Sequence, residues 1–165
     1  SVGIDVFNHR EHSGVFYPLQ SFNKNLNINF NEIPICIESK NAELEKKLVS
    51  LSNSISHSTH LLNSKQIEQL HIAAVFASNF TNHMMSIAKE ILNSNKINFD
   101  LLKPLIENTF EKIKNNNPKD VQTGPAKRKD YRIIEKHLEL LEEYDDLKII
   151  YSEISNHIMN NSFNE

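Results

Sequence analysis

The stretch Leu70–Met84, LHIAAVFASNFTNHM, concentrates residues able to do chemistry inside an apolar run. His71 and His83 are imidazoles, the side chains whose ordinary pKa lies nearest neutrality, so either can give or take a proton. Asn79 and Asn82 are carboxamides, which donate and accept hydrogen bonds at once. On a regular helix Ile72, Phe76, Asn79 and His83 fall along one stripe, with His71, Ser78 and Asn82 on the adjoining one. A carboxamide and an imidazole one turn apart could grip a substrate carbonyl or carboxylate. Buried polar groups of this kind could equally bridge neighbouring helices, since burial is costly without hydrogen bonds.

A second constellation is Gln122-Thr123-Gly124-Pro125 followed by Arg128. Thr, Gly and Arg ahead of a helix can receive an anion, or they form an ordinary turn closing onto a capped helix. A third is His12-Ser13-Gly14 with Tyr17 before Pro18, where Tyr17 is either a proton donor or a packing residue. No nucleophile elbow supports a Ser-His-acid triad. His9/His12 and His57/His60 have helix-like spacing but sit in a loop and at a strand edge, without Cys or acidic ligands at fitting spacing, so no metal site is expected.

These residues must be positioned by two textures of chain. Before about residue 63 the signals alternate. Val15–Tyr17 is a strand candidate ended by Pro18, and Ile33–Glu38 is a compact β-branched run. Asn41 caps a helix with Leu44, Leu48 and Leu51 on one side, and residues 58–62 form another short strand. This strand–helix–strand unit belongs to a parallel α/β sheet but is too small to be a complete one. After residue 63 the chain reads helical: an unbroken helix from Ser64 to about Ser94, a second from Asn98 or Asp100 with Pro104 in its first turn, a third over 129–143 and a fourth over 146–160. The stretch NNNPKDVQTGP between the second and third must be a loop. The fold expected is α+β, with residues 1–63 the remnant of a Rossmann-like domain and 64–165 an all-helical domain.

Composition narrows the partners. The 165 residues are 39% hydrophobic and 24% charged with net charge −3, which gives no reason to expect nucleic acid or an anionic membrane. The lone cysteine, Cys36, lies in an apolar run and reads as a buried structural thiol. No apolar run approaches the length of a membrane span and the N-terminus lacks a signal-peptide layout, so a cytoplasmic setting is the default. Only three glycines occur, Gly3, Gly14 and Gly124, and neither a dinucleotide fingerprint nor a phosphate-binding P-loop can be written with them.

GVFYPLQSF, LHIAAVFASNFTNHM and LLKPLIENT…QTGPAKRKD…IEKH, in that order, together resemble a family of NADP-dependent oxidoreductases. The C-terminal half of that family is catalogued as a domain of unknown function. The family is a distant relative of pyrroline-5-carboxylate reductase, ketopantoate reductase and the β-hydroxyacid dehydrogenases. The resemblance implies an N-terminal Rossmann domain, a helical domain that dimerises with a second copy, NADP as cofactor and a small-molecule substrate. It also implies that the glycine loop lies upstream of residue 1, so that the chain is a truncated piece that binds NADP poorly alone. In β-hydroxyacid dehydrogenases the first long helix of the C-terminal domain carries Lys-x-x-x-Asn. Laid on AAVFASN, the pattern puts the Asn at Asn79 and the Lys at Val75, and valine cannot transfer a proton. The resemblance then implies Asn79 as the orienting residue and His83 as general acid, followed by His71 and Tyr17. Asn82 and Gln122 are further substrate contacts, and Thr123 and Arg128 complete the pocket from a partner subunit. The alternative is a non-catalytic helical association module whose polar residues fix helix register.

Overall fold

The structure is a computed structural model, and it describes residues 4–7, 10, 12–22 and 28–160. It divides into two compact units, Ser1–Asn98 and Phe99–Glu165.

The first unit is built on a three-stranded sheet in the order β1-β2-β3. Strand β1 (Gly14–Pro18) runs antiparallel to β2 (Ile35–Ser39), with Tyr17 opposite Cys36, and β2 runs parallel to β3 (Thr59–Leu61). The parallel pair is joined by helix α1 (Ala42–Ile55), which gives the expected strand–helix–strand unit. Its start is set locally, because the Asn41 side chain accepts the Leu44 N–H. Ile35, Cys36 and Ile37 are consecutive and all buried, so β2 is covered on both faces, as a central strand must be. Gly14 is the residue that lets β1 lie this close: a Cβ there would meet Leu48 Cδ1 at 2.7 Å and the Glu38 carbonyl at 3.0 Å.

Ser56 and Ser52 are buried where the unit closes. Ser56 Oγ donates to the Ile33 carbonyl at 2.6 Å, and Ser52 Oγ pairs with Thr59 Oγ1 at 2.7 Å. Both hydroxyls are thereby satisfied, which burial requires.

The long helix runs from Ser64 to Ser94 without a break, as expected, but it is not regular α-helix throughout. It consists of α2 (Ser64–Ala74), a π-helical turn (Val75–Phe80) and α3 (Thr81–Ser94). Its cap is Asn63, not Ser64: Asn63 Oδ1 accepts the Gln66 N–H, and Gln66 Oε1 accepts the Asn63 N–H, both at 3.0 Å. Ser64 plays a different part. Its N–H and Oγ donate to the two carboxylate oxygens of Glu38, at 2.9 and 2.6 Å, which ties the helix start to β2. A carboxylate is favourable there because the first-turn amides are unpaired and carry partial positive charge.

The expected burial of this helix is corrected too. Asn79, Asn82 and His83 are exposed, as are Ile72 at 51% and Phe76 at 64%. The polar residues carry no desolvation cost in this chain, and it is the apolar ones that lie uncovered.

In the second unit a short 3-10 turn (Phe99–Leu102) leads into α4 (Lys103–Asn115), with Pro104 in its first turn where a missing N–H costs nothing. The loop that follows reaches α5 (Tyr131–Leu140) and then α6 (Asp145–Asn160). Helices α5 and α6 are joined by His137 Nδ1 and Tyr151 Oη at 2.8 Å, the rings edge to face. The third helix is three residues shorter at its C-terminus than expected, ending in turns over residues 141–143.

Candidate functional site

The end of β1 and one face of the long helix enclose a cleft of about 520 Å³ in the first unit. Tyr17 reaches it because Pro18 ends the strand. The proline has no N–H to give, but Leu19 N–H resumes the pairing on the Pro34 carbonyl at 2.8 Å, so Tyr17 stays in register. The chain then turns, and Gln20 Oε1 accepts the Ser21 N–H at 2.8 Å. The opposite wall is His71, Val75 and Asn79 with the small residues Ala73, Ala74, Ala77 and Ser78, whose short side chains leave the space open.

The Glu38–Ser64 tie places this wall. His71 lies seven residues beyond Ser64, about two turns and about 10 Å along the axis. It therefore stands on the Ser64 side of the helix and meets Tyr17: Oη and Nδ1 are 3.2 Å apart, the rings 6.2 Å apart at 71°. Burial, and second the neighbouring Cys36, push the Tyr17 phenol above its ordinary value of 10.0, so it stays protonated. Burial likewise pushes up the Cys36 thiol, which keeps it a poor nucleophile. If His71 carries its proton on Nδ1, it donates to Tyr17 Oη and the phenol proton is free to point into the cleft. In the other tautomer the phenol donates to Nδ1. The pair can thus deliver a proton to an acceptor held in the cleft.

Of the residues singled out from sequence, Tyr17, His71 and Asn79 line this one cleft. Asn82 and His83 are exposed and lie outside its lining. Gln122 and Thr123 belong to the second unit, where they line a separate pocket of about 210 Å³ with Leu105, Thr109 and Lys112. Arg128 is exposed on the turn before α5. The N-terminus of α5 is occupied by Asp130, whose carboxylate accepts the Ile133 N–H at 3.3 Å, so the first turn already has its anion. Sequence reasoning placed Ser78 on the His71 stripe but missed Gln20 and Ser21 as cleft residues; the Pro-Leu-Gln run after Tyr17 was the available signal for these two. It had no signal for Glu38, whose partner is 26 residues away. His9 lies outside the described residues. Among the described residues no group of three or more His, Cys, Asp or Glu is arranged to hold a metal ion, and no helix is long and apolar enough to cross a membrane.

The parallel strands are connected at their βα turn by Ser39-Lys40-Asn41, with Ser39 Oγ accepting the Asn41 N–H. A dinucleotide pyrophosphate needs backbone amides brought close by glycines at such a turn. The side chains here fill that role with hydrogen bonds of their own, so this turn does not fit a nucleotide.

Fold and cleft together define an α+β protein in which a small, partly Rossmann-like three-stranded sheet is followed by helices. The chain belongs to the family described as a domain of unknown function (DUF2520), whose profile matches residues 33–158. It is similar over 97% of its length to the crystal structure of a putative NADP oxidoreductase from Bacteroides fragilis, with 38% identity and a TM-score of 0.91. It spans 62% of that protein. A protein from Thermotoga maritima has the same fold, with 21% identity and a TM-score of 0.77 over 96% of this chain and 64% of the other. No curated protein matches the chain.

Proposed function

We propose that the chain is the C-terminal portion of an NAD(P)-dependent oxidoreductase and supplies the substrate pocket for reduction of a small carbonyl or imine. The observation that carries the reading is that Tyr17, its partner His71 and Asn79 line one cleft, in a chain 38% identical to a putative NADP oxidoreductase. In the intact protein NADP, bound by the nucleotide-binding part, supplies the hydride. The residues of this chain do the rest. Asn79 orients the substrate oxygen or nitrogen by hydrogen bonding. Tyr17, backed by His71, gives that atom its proton. Val75 occupies the position of the relatives' lysine and contributes only shape, which is why the proton must come from another side chain.

His83, one turn beyond Asn79 and the general acid that the resemblance suggested, and Asn82 lie outside the lining of the cleft, so the proton is assigned to Tyr17 in this reading. Gln122, Thr123 and Arg128 act on the partner's pocket in a homodimer. Dimerisation is supported by the uncovered Ile72, Phe76 and Phe80 of the long helix and by the exposed Leu101 and Leu105 of the second unit. A reducing cytoplasmic compartment suits the free, buried Cys36.

The test is a titration of NADPH, read by its own fluorescence. It is made into this chain and into this chain extended by the nucleotide-binding segment of the Bacteroides fragilis relative. The chain has no tryptophan, so the nucleotide signal is free of overlap. Saturable binding by the extended protein, and weak or no binding by the chain alone, is expected. Failure of the extended, folded protein to bind NADPH would overturn the oxidoreductase reading and leave a helical association module.

A further inference from the structure

The π-helical turn Val75–Phe80 has no explanation in packing, since none of its six residues is buried. Its geometric effect falls on the cleft. In an uninterrupted α-helix each residue advances about 100°, so Asn79, eight residues after His71, would stand about 80° off the His71 stripe. A π turn closes its hydrogen bonds one residue later and advances only about 80° per residue. The four steps from Val75 to Asn79 then lose about 80°, which returns Asn79 to about the His71 stripe. Hence His71, Val75 and Asn79 line one wall, and Ile72 and Phe76, which α-helical spacing would put in line with Asn79, do not line it. One side chain holds the altered turn: Thr81 Oγ1 donates to the carbonyl of Phe76, five residues back, at 3.1 Å.

We infer that the π turn, held by Thr81, is the positioning element of the site, a one-residue expansion of the helix that brings the Asn79 carboxamide into the cleft beside His71. This rests on the oxidoreductase reading only for what Asn79 then does; the placement itself stands on geometry. Thr81 is a positioning residue, acting through Asn79 without lining the cleft.

Two single-residue deletions separate the parts. Deleting Ala77 or deleting Phe80 converts the turn to α-helix while leaving α3 in place. After loss of Ala77, Asn79 is seven residues from His71 and stays within about 20° of it; after loss of Phe80 it remains eight away and swings about 80° off. Crystal structures of the two variants are expected to show the Asn79 side chain in the cleft in the first and out of it in the second. In the extended protein, loss of Phe80 is expected to lower kcat/KM as much as Asn79→Ala, about tenfold or more, the worth of one hydrogen bond in the transition state. Loss of Ala77, a residue of the cleft wall, is judged by the position of Asn79 in its crystal structure and not by turnover. Asn79 remaining in the cleft without Phe80, or leaving it in both variants, overturns the inference. A parent protein that turns over no carbonyl or imine removes the oxidoreductase reading and leaves the structural comparison to decide the turn. Should the deletions not fold, Thr81→Val and Thr81→Ser replace them. Valine is expected to lower kcat with little change in KM and serine to restore it; equal behaviour of the two overturns the inference.

Discussion

Removing the Glu38 carboxylate should loosen the long helix from the sheet by an amount that can be worked out from two bonds. Glu38 accepts from the Ser64 N–H at 2.9 Å and from Ser64 Oγ at 2.6 Å. Each is charge-assisted, and such bonds contribute about 1.5 kcal/mol at the low end of their range, which suits a carboxylate that is only half-buried. The favourable charge at the helix start adds about 0.5 kcal/mol. Glu38→Ala should therefore cost about 3.5 kcal/mol, Glu38→Gln about half of that, and Ser64→Ala about 1.5 kcal/mol, because the backbone bond survives it. The decisive quantity is the double variant. Once Glu38 is gone the Ser64 hydroxyl has nothing left to lose, so Glu38→Ala/Ser64→Ala should be no less stable than Glu38→Ala alone, a coupling of about 1.5 kcal/mol. Urea unfolding followed by hydrogen exchange of first-unit amides measures it. Strictly additive single effects, or a cost for Glu38→Ala below about 0.5 kcal/mol, would refute the argument.

Three further outcomes are expected. Tyr17→Phe removes the phenol while keeping the ring, so in the extended protein kcat should fall about a hundredfold with KM little changed. Stability should fall by only about 1 kcal/mol; an unchanged kcat would take Tyr17 out of the proton path. Tyr17 and Cys36 are both held above their ordinary values of 10.0 and 9.0. The native chain thus keeps protons that the unfolded chain would release, so their contribution is intact below about pH 9 and is lost as pH rises through the raised values. Thermal unfolding between pH 8 and 11 should show this decline beginning near pH 9 and shallower in Cys36→Ala. Gly124 has φ +105° and open space for at least 4 Å around the position a Cβ would take, so Gly124→Ala should cost only backbone strain, about 1–2 kcal/mol. Tyrosine fluorescence reads this well, since Tyr131, Tyr144 and Tyr151 all lie in the second unit, and a cost near zero would show that the turn relaxes.

Much of the architecture was legible because its causes are local. The Asn41 cap, the β-branched run of β2, Pro104 in the first turn of α4 and the glycine–proline loop before α5 each act over three or four residues, and each stands where their chemistry puts it. The antiparallel sense of β1 was not legible, because the connection from Pro18 to Ile35 carries no periodic signal. Asn82 and His83 looked buried because apolar neighbours in a sequence cannot say whether the chain itself covers them. The His137–Tyr151 bond was missed for the same kind of reason, as its two residues meet only when α5 and α6 pack.

The sequence by itself determined the order of the elements, the Asn41 cap, the α+β class and the lack of a glycine loop. It also carried the family resemblance, since all of these depend on residue type at short range. Tertiary structure alone decided that Tyr17 meets His71 across 54 positions, and that Glu38 holds the helix carrying that histidine. It also decided that a π turn, and not α-helical spacing, brings Asn79 alongside. Those outcomes depend on strand register and on where a helix docks, and neither is written in any window of a few residues.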